Sequence, residues 1–305
     1  MNVLVFGAGA IGSFVGARLA KVCGVTLIGR KEHVARINAH GLEIEGLVKE
    51  CVKIPAFEQI PDGIWDFIII TTKSYDTPHA IQTIARKLDC GTIVSMQNGL
   101  NNIEVIEHET QKIKKKFNVC ACITSTGVSF LEPGKIRLNG LGRTVVGGRE
   151  KKYADKFAAL LTAGGIKTDV SEDIMQEIWI KGVVNSAINP LTAIFRVKNG
   201  ALLDNPSLEK LLCDVAEESE KIAKDCGFVN KNVDCVEITK EVAHTTRENY
   251  SSMLQDIMKG KKTEIREING HIVETGKKHG LSVKLNQFLL NAVIGLEQLT
   301  GFRLS

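Results

Sequence analysis

The chain reads as an α/β protein: a doubly wound sheet at the N-terminus followed by an all-α C-terminal domain. Three observations predict this. Residues 1–12 run as a short apolar strand straight into a glycine-rich turn and a helical pattern. Apolar strands and helical patterns then alternate over the first part of the chain, which argues for a parallel sheet covered on both faces. From Ser171 onward strand signals stop and helical periodicity takes over. At 305 residues, with 44% hydrophobic and 24% charged residues, the chain is long enough for two domains and ordinary in composition.

Taken in order, strands are expected at 2–6, 24–28, 67–71, 92–96 and 119–124, with helices near 11–22, 32–39, 77–87 and 101–108. Segments 41–54 and 127–147 alternate apolar residues with glycines and read as β-rich excursions, Glu132-Pro133-Gly134-Lys135 being a hairpin turn. A helix near 151–163 and a strand near 166–170 complete the first domain, residues 1–169. In the second, residues 170–305, Ser171 is the expected N-cap of the first helix, with Glu172 and Asp173 at its positive end. Asn205-Pro206-Ser207 starts the next helix and Gly227 ends it. Further helices are expected near 232–248, 250–258, 262–278 and 285–299, with His279-Gly280 as a stop signal.

The first turn carries the clearest chemistry. Gly7-Ala8-Gly9-Ala10-Ile11-Gly12 fits G-x-G-x-x-G between a strand and a helix, the setting of a Rossmann-type dinucleotide site. Gly7 allows the tight turn, Gly9 lets the backbone approach a pyrophosphate, and Gly12 lets helix and strand pack closely. The pyrophosphate then rests on the free N–H groups of the helix N-terminus. A chance glycine-rich turn is the plain alternative, and the strand-turn-helix context weighs against it. The second strand, Val25-Thr26-Leu27-Ile28, ends at Gly29-Arg30-Lys31. An acidic residue there would bind the ribose hydroxyls of NAD, whereas Arg30 suits a 2′-phosphate, so NADPH is the expected cofactor. Glu32 nearby and the possibility of two solvated cations stand on the other side.

Ligands of open α/β sheets lie beyond the carboxyl ends of the strands. Lys73 follows one such end, Ile68-Ile69-Ile70-Thr71-Thr72, and Asn98 another, Val94-Ser95-Met96-Gln97. Lys73 is placed to meet cofactor phosphate or a substrate carboxylate, and Asn98 to donate to cofactor or substrate. The plain alternative for both is a polar loop residue.

Residues 178–199 hold the second signal. Lys181, Asn185 and Asn189 recur at i, i+4, i+8, so one cation and two carboxamides share a helix face. Ile178, Ile180, Val183, Val184, Ala187 and Ile188 fill the opposite face, and Asn189-Pro190 closes the stripe. A solvated face carries long charged side chains. This short, amide-rich stripe reads as a pocket wall that hydrogen-bonds a small polar ligand. A lysine snorkelling from an apolar helix is the weaker alternative for Lys181. Farther on, Ser252 and Asp256 are i, i+4, and Glu264 opens a helix where an acid suits the positive end of the dipole. Spacing alone does not choose between a structural and a catalytic role for these three.

These strings resemble the ketopantoate reductase (2-dehydropantoate 2-reductase) family along essentially the whole chain. The resemblance rests on Gly7-Ala8-Gly9-Ala10-Ile11-Gly12, Asn98-Gly99, and Lys181 with Asn185-Ser186-Ala187-Ile188-Asn189-Pro190-Leu191-Thr192-Ala193. It continues through Asn199-Gly200, Ser251-Ser252-Met253-Leu254-Gln255-Asp256, Thr263-Glu264-Ile265 and Ile268-Asn269-Gly270. It implies NADPH-dependent reduction of 2-dehydropantoate to pantoate, a step towards coenzyme A. By the resemblance, Lys181 is the proton donor and Glu264 the second essential acid. Asn98, Asn185, Asn189, Asn199 and Ser252 are substrate or cofactor contacts, and the active site is expected in the interdomain cleft. The residue types suit the reaction: hydride delivery leaves charge on a ketone oxygen, which an ammonium stabilises and protonates. Free lysine titrates at about 10.4, so partial burial is needed to lower it.

Three other readings compete: a reductase of another branched 2-oxoacid, a β-hydroxyacid dehydrogenase of similar plan, and a non-catalytic NADP-binding sensor. The sensor needs no proton donor. Other classes are disfavoured. The net charge is only +4, and the dense basic run, Lys112 to Lys116, lacks interleaved aromatics, so no nucleic-acid partner is expected. No apolar run is long enough for a membrane span, and the first strand follows Met1 directly, so a cytoplasmic protein without signal peptide is expected. The cysteines (23, 51, 90, 120, 122, 213, 226, 235) form no CxxC pair. Cys120 and Cys122 share one strand face, which is not a zinc spacing, so no metal and reduced thiols are expected. Phe288, Leu289, Leu290, Val293, Ile294 and Leu296 make the last helix more apolar than solvation needs, which leaves a homodimer open beside packing within the domain.

Overall fold

The computed structural model describes residues 1–88 and 91–301. The chain divides into two compact units: Met1–Gln97 with Asn102–Ile174, and Asn98–Asn101 with the chain from Met175 onward.

The first unit contains β1 (Asn2–Phe6), α1 (Ala10–Leu19), β2 (Gly24–Ile28), α2 (Lys31–His40), β3 (Leu42–Gly46), β4 (Glu50–Val52), β5 (Ala56–Phe57) and β6 (Phe67–Ile70). Then come a 3₁₀ turn (Ser74–Asp76), α3 (Thr77–Lys87), β7 (Thr92–Ser95), α4 (Asn102–Lys112), β8 (Asn118–Thr124), β9 (Gly127–Glu132), β10 (Lys135–Gly140), β11 (Thr144–Gly148), α5 (Lys151–Ala163) and β12 (Thr168–Val170). The main sheet has eight strands in the order β12-β11-β8-β7-β6-β1-β2-β5. It is parallel except where β11 runs antiparallel to β8. Its central strands are rich in apolar residues because both faces are covered. Val3, Val5, Leu27 and Ile69 feed one core, and Leu4, Ile28, Ile68 and Ile70 feed the other. The expected Rossmann-type architecture is present. The two β-rich excursions meet in a separate four-stranded sheet, β4-β3-β10-β9, and the hairpin turn falls between Glu132 and Lys135 as expected. Strand β5 has no expected counterpart; two residues give no periodicity to read.

Among its described residues the second unit is helical: α6 (Ile174–Phe195), α7 (Ala201–Asp204), α8 (Pro206–Asp225), α9 (Cys235–Thr245), α10 (Ser252–Met258), α11 (His271–Lys278) and α12 (Lys284–Gly301). Asn205 caps α8 through Ser207 and Leu208 N–H at 3.0 and 3.2 Å, with Pro206 in the first turn. The core forms around Trp179, which is buried and stacked on Phe228 at 4.2 Å. Val183, Val184, Ala187 and Ile188 bury the apolar face read from the sequence. On α12, Leu289 and Val293 are buried whereas Phe288 is exposed, so most of the helix's apolar stripe packs within its own unit.

Three local expectations are corrected. Ser171 does not cap α6; its hydroxyl accepts from Asp173 N–H at 3.1 Å in the preceding turn, and the helix starts at Ile174. Helix α6 itself continues through Pro190 to Phe195. Helix 232–248 is shorter, since Asp234 caps α9 by accepting from Glu237 N–H at 2.9 Å. Helix 262–278 starts later, at Arg266, and its first turn is π-helical. Thr263 Oγ1 accepts from Ile265 N–H, and a π-helical turn at Arg266–Gly270 precedes α11, marked by the Gly270 N–H to Ile265 carbonyl bond at 3.0 Å.

Candidate active site

The dinucleotide end of the first unit is built by close backbone approach. Gly7 has φ +112°, and a Cβ there would lie 2.7 Å from Thr72 N. A Cβ on Gly12 would overlap Gly7 O and Thr71 Oγ1. Thr71 Oγ1 donates to Gly7 O at 2.6 Å, and Gly7 and Ala8 N–H donate to Ile28 O at 3.0 and 2.7 Å. The loop is therefore fixed from β2 and from the end of β6. No side chain caps α1 at Gly9, which leaves the helix N-terminus to an anionic ligand. These residues fit a dinucleotide pyrophosphate.

Arg30 is exposed immediately before α2, at the carboxyl end of β2, beside exposed Lys31 and Glu32. Lys73 is half-buried before the 3₁₀ turn. Its loop is braced by a residue the sequence did not single out. Gln97 Nε2 donates to Thr72 O at 3.0 Å and Thr77 Oγ1 at 2.9 Å, while Ser95 Oγ donates to Gln97 Oε1. A second brace is His33, buried on α2. Gly134 N–H donates to its Nδ1 at 2.8 Å, so Nε2 carries the proton and donates to Ser13 Oγ at 3.0 Å. Burial lowers the His33 pKa to about 4, so the ring is neutral at pH 7.

In the second unit, α6 presents Lys181 and Asn185 half-buried and Asn189 buried. Segment Asn98–Asn101, which sequence order assigns to the sheet, clusters with these helices. Leu100 is buried in their core, and a Cβ on Gly182, next to Lys181, would overlap its side chain. Leu100 N–H donates to Glu267 O at 3.2 Å. This seats Asn98 against Glu264: Asn98 Nδ2 donates to Glu264 Oε2 at 3.2 Å. Glu264 is 5% exposed and stands at the start of the helical stretch, its carbonyl accepting from Ile268 N–H at 3.1 Å, so the helix-start role and the contact with Asn98 coexist. Its neighbour Thr263 is held by Glu297 of α12 through N–H and hydroxyl, at 2.8 and 2.6 Å. Burial pushes the Glu297 carboxyl up, but Thr263 and Arg266 outweigh it and the net pKa lies below the usual range.

Asn199 Nδ2 donates to Thr246 Oγ1 at 2.8 Å, and that hydroxyl donates onward to Val242 O, which fixes the amide orientation. Asn199 Oδ1 is left buried without a hydrogen-bond partner, an acceptor suited to a hydroxyl and not to a carboxylate. Ser252 is exposed at the start of α10, and the buried hydroxyl is its neighbour. Ser251 Oγ accepts from Leu254 N–H at 3.1 Å and lies 2.7 Å from Thr192 Oγ1 of α6. Asp256 is buried on the same helix. The Ser-x-x-Leu cap spacing is the signal that points to Ser251. No group of metal-binding side chains occurs among the described residues. Seven cysteines are free thiols, and Cys90 lies outside the described residues. No described helix is long and apolar enough to cross a membrane.

A Rossmann-type sheet with an open glycine turn, joined in one chain to a helical unit carrying a lysine, a buried glutamate and a row of carboxamides, defines an NAD(P)-dependent oxidoreductase. The comparisons with known proteins specify which. Residues 3–151 match the family described as ketopantoate reductase PanE/ApbA, and residues 173–297 match its C-terminal part. The 2-dehydropantoate 2-reductase of Pyrococcus horikoshii is 40% identical over 306 residues, covering 99% of both chains. The crystal structure of a PanE/ApbA family ketopantoate reductase from Ralstonia eutropha superposes with a TM-score of 0.89 at 29% identity, covering 99% of this chain and 100% of that one. A ternary structure of D-mandelate dehydrogenase with NADH and anilino(oxo)acetate gives 0.90 at 26% identity, with the same coverage. The chain belongs to the ketopantoate reductase family.

Proposed function

We propose that this protein reduces 2-dehydropantoate to pantoate with NADPH. The observation that carries the reading is the buried Glu264 bound to Asn98 in the helical unit whose α6 bears Lys181, Asn185 and Asn189. When bound, the reduced nicotinamide supplies a hydride to the ketone carbon. The glycine turn and the α1 N-terminus would hold the pyrophosphate, Arg30 would meet the 2′-phosphate, and Lys73 would serve the cofactor phosphates. Lys181 stabilises the charge developing on the ketone oxygen and gives it a proton, so ketone, hydride and proton sum to the alcohol. Glu264, fixed by Asn98, accepts a hydrogen bond from a substrate hydroxyl. Asn185 and Asn189 donate to the carboxylate without adding charge. Asn199 Oδ1 accepts from a hydroxyl, and Ser252 supplies an exposed hydroxyl at the α10 N-terminus. The free cysteines suit a reducing, cytoplasmic setting.

A second reading is favoured by one observation: the likeness to D-mandelate dehydrogenase, a structure holding NADH and a 2-oxoacid-like ligand. In that reading the chain reduces a different 2-oxoacid. Following nicotinamide absorbance with 2-dehydropantoate and a panel of 2-oxoacids, each with NADPH and with NADH, separates the two. Turnover confined to another 2-oxoacid or to NADH rejects the corresponding half of the proposal.

A further inference from the structure

Pro190 lies inside α6, one residue past Asn189. Proline has no N–H, so the carbonyl four residues earlier, that of Ser186, has no donor in its own helix. That carbonyl is buried, and it accepts from Asn269 Nδ2 at 2.9 Å. Asn269 is completely buried in the π-helical turn that follows Glu264. Its second N–H donates to Asn286 Oδ1 at 2.9 Å. Asn286, also completely buried on α12, donates in turn to Glu218 Oε1 at 2.9 Å and Ser219 Oγ at 3.0 Å on α8. Glu218 accepts the α12 amides of Leu285 and Asn286 as well, at 3.1 and 2.8 Å. The Ser186 carbonyl at one end and the Glu218 carboxylate at the other can only accept, so both amide orientations are fixed.

We propose that Asn269 is a positioning residue for the reaction. By occupying the carbonyl that Pro190 frees, it sets the Glu264 turn against the part of α6 that carries Asn185 and Asn189. The tie falls between those two asparagines in sequence, on the helix that also bears Lys181. Pro190 supplies the acceptor, Asn269 reads it, and the Glu218–Asn286 pair holds the reader's orientation. A helix without the proline would bond Ser186 O to its own residue 190 and leave the two elements unregistered. The inference rests on the reading that Lys181, Asn185, Asn189 and Glu264 serve one reaction.

The test is a cycle of Asn269→Ala, Pro190→Ala and the double variant, read by urea unfolding and by steady-state kinetics with the 2-oxoacid the unaltered protein turns over. Asn269→Ala is expected to lower kcat by roughly 10- to 100-fold with the NADPH KM nearly unchanged, a split that mere loss of stability does not produce. In the Pro190→Ala background, where residue 190 regains an N–H for Ser186 O, the same change is expected to cost less than about a third of that factor. Asn269→Asp places a carboxylate against two acceptors and is expected to be worse than alanine; it stands in where a Pro190 variant fails to fold. Folded Asn269→Ala with kcat within about threefold of the unaltered protein, or effects that multiply independently, overturns the proposal. If the unaltered protein turns over no 2-oxoacid, the substrate reading fails by itself. The unfolding cycle then decides the Pro190–Asn269 tie, additivity overturning it.

Discussion

Asn98 and Glu264, 166 residues apart in sequence, meet at 3.2 Å with the amide donating to the carboxylate. Asn98 reaches this position because Leu100, two residues on, is buried in the helical core over Gly182. The pair is expected to act as a unit. Asn98→Ala and Glu264→Gln should each lower kcat/KM by roughly 100-fold, and the double variant should be little worse than the poorer single. Multiplicative losses in steady-state assays would show two independent roles.

Lys181→Ala separates an enzyme from a sensor. Loss of a positioned proton donor is expected to lower kcat by about 10²- to 10⁴-fold. NADPH affinity, measured by quenching of protein or nicotinamide fluorescence, should stay within about threefold, because the pyrophosphate is assigned to the α1 N-terminus. Unimpaired turnover would remove Lys181 from the mechanism.

Arg30 is exposed, so its contact with a 2′-phosphate is made partly in water. Arg30→Ala should raise the NADPH KM by roughly 10- to 30-fold, about 1.5–2 kcal/mol, and leave the NADH KM within twofold. An equal effect on both cofactors would place Arg30 away from the ribose phosphate.

Burial lowers the His33 imidazole from its ordinary pKa of 6.5 to about 4 in the folded chain. Between those values the unfolded chain binds a proton that the folded chain does not, so stability rises with pH across the window. The contribution is complete above pH 6.5 and is lost as pH falls towards 4, amounting to roughly 3 kcal/mol. Urea unfolding at pH 7 and pH 4.5 should show that loss in the unaltered protein. His33→Gln, which can still accept from Gly134 and donate to Ser13, should lose distinctly less. Equal losses would assign the acid sensitivity to carboxylates such as Glu297.

The sheet was legible because β1, β2, β6 and β7 are short, apolar-rich runs followed by glycine or polar turns. The glycine motif was legible because its demands are local backbone demands. The polar stripe of α6 was also legible, since helical spacing is set by chain geometry alone. Other features depend on partners distant in sequence. Nothing around Asn98 in sequence says that Leu100 will belong to the helical core. The continuation of α6 through Pro190 leaves Ser186 O to a donor supplied by Asn269, which local spacing does not announce. Ser251 and Ser252 differ in sequence by one position, and only the capping geometry assigns the buried hydroxyl to the first. The late start of the helix expected at 262–278 goes with Thr263 being held by Glu297, which apolar periodicity does not register.

Asn98–Asn101 gives the helical unit a discontinuous composition, with four of its residues translated about seventy positions before the rest. During synthesis the ribosome delivers Leu100 long before Gly182 exists to receive it. A fragment beginning at Met175 would therefore lack a plug for its own core and the donor that holds Glu264. Dissection of this protein into separately expressed halves has to carry that four-residue strap along, as an added peptide or by circular permutation, before the helical half can be judged on its own.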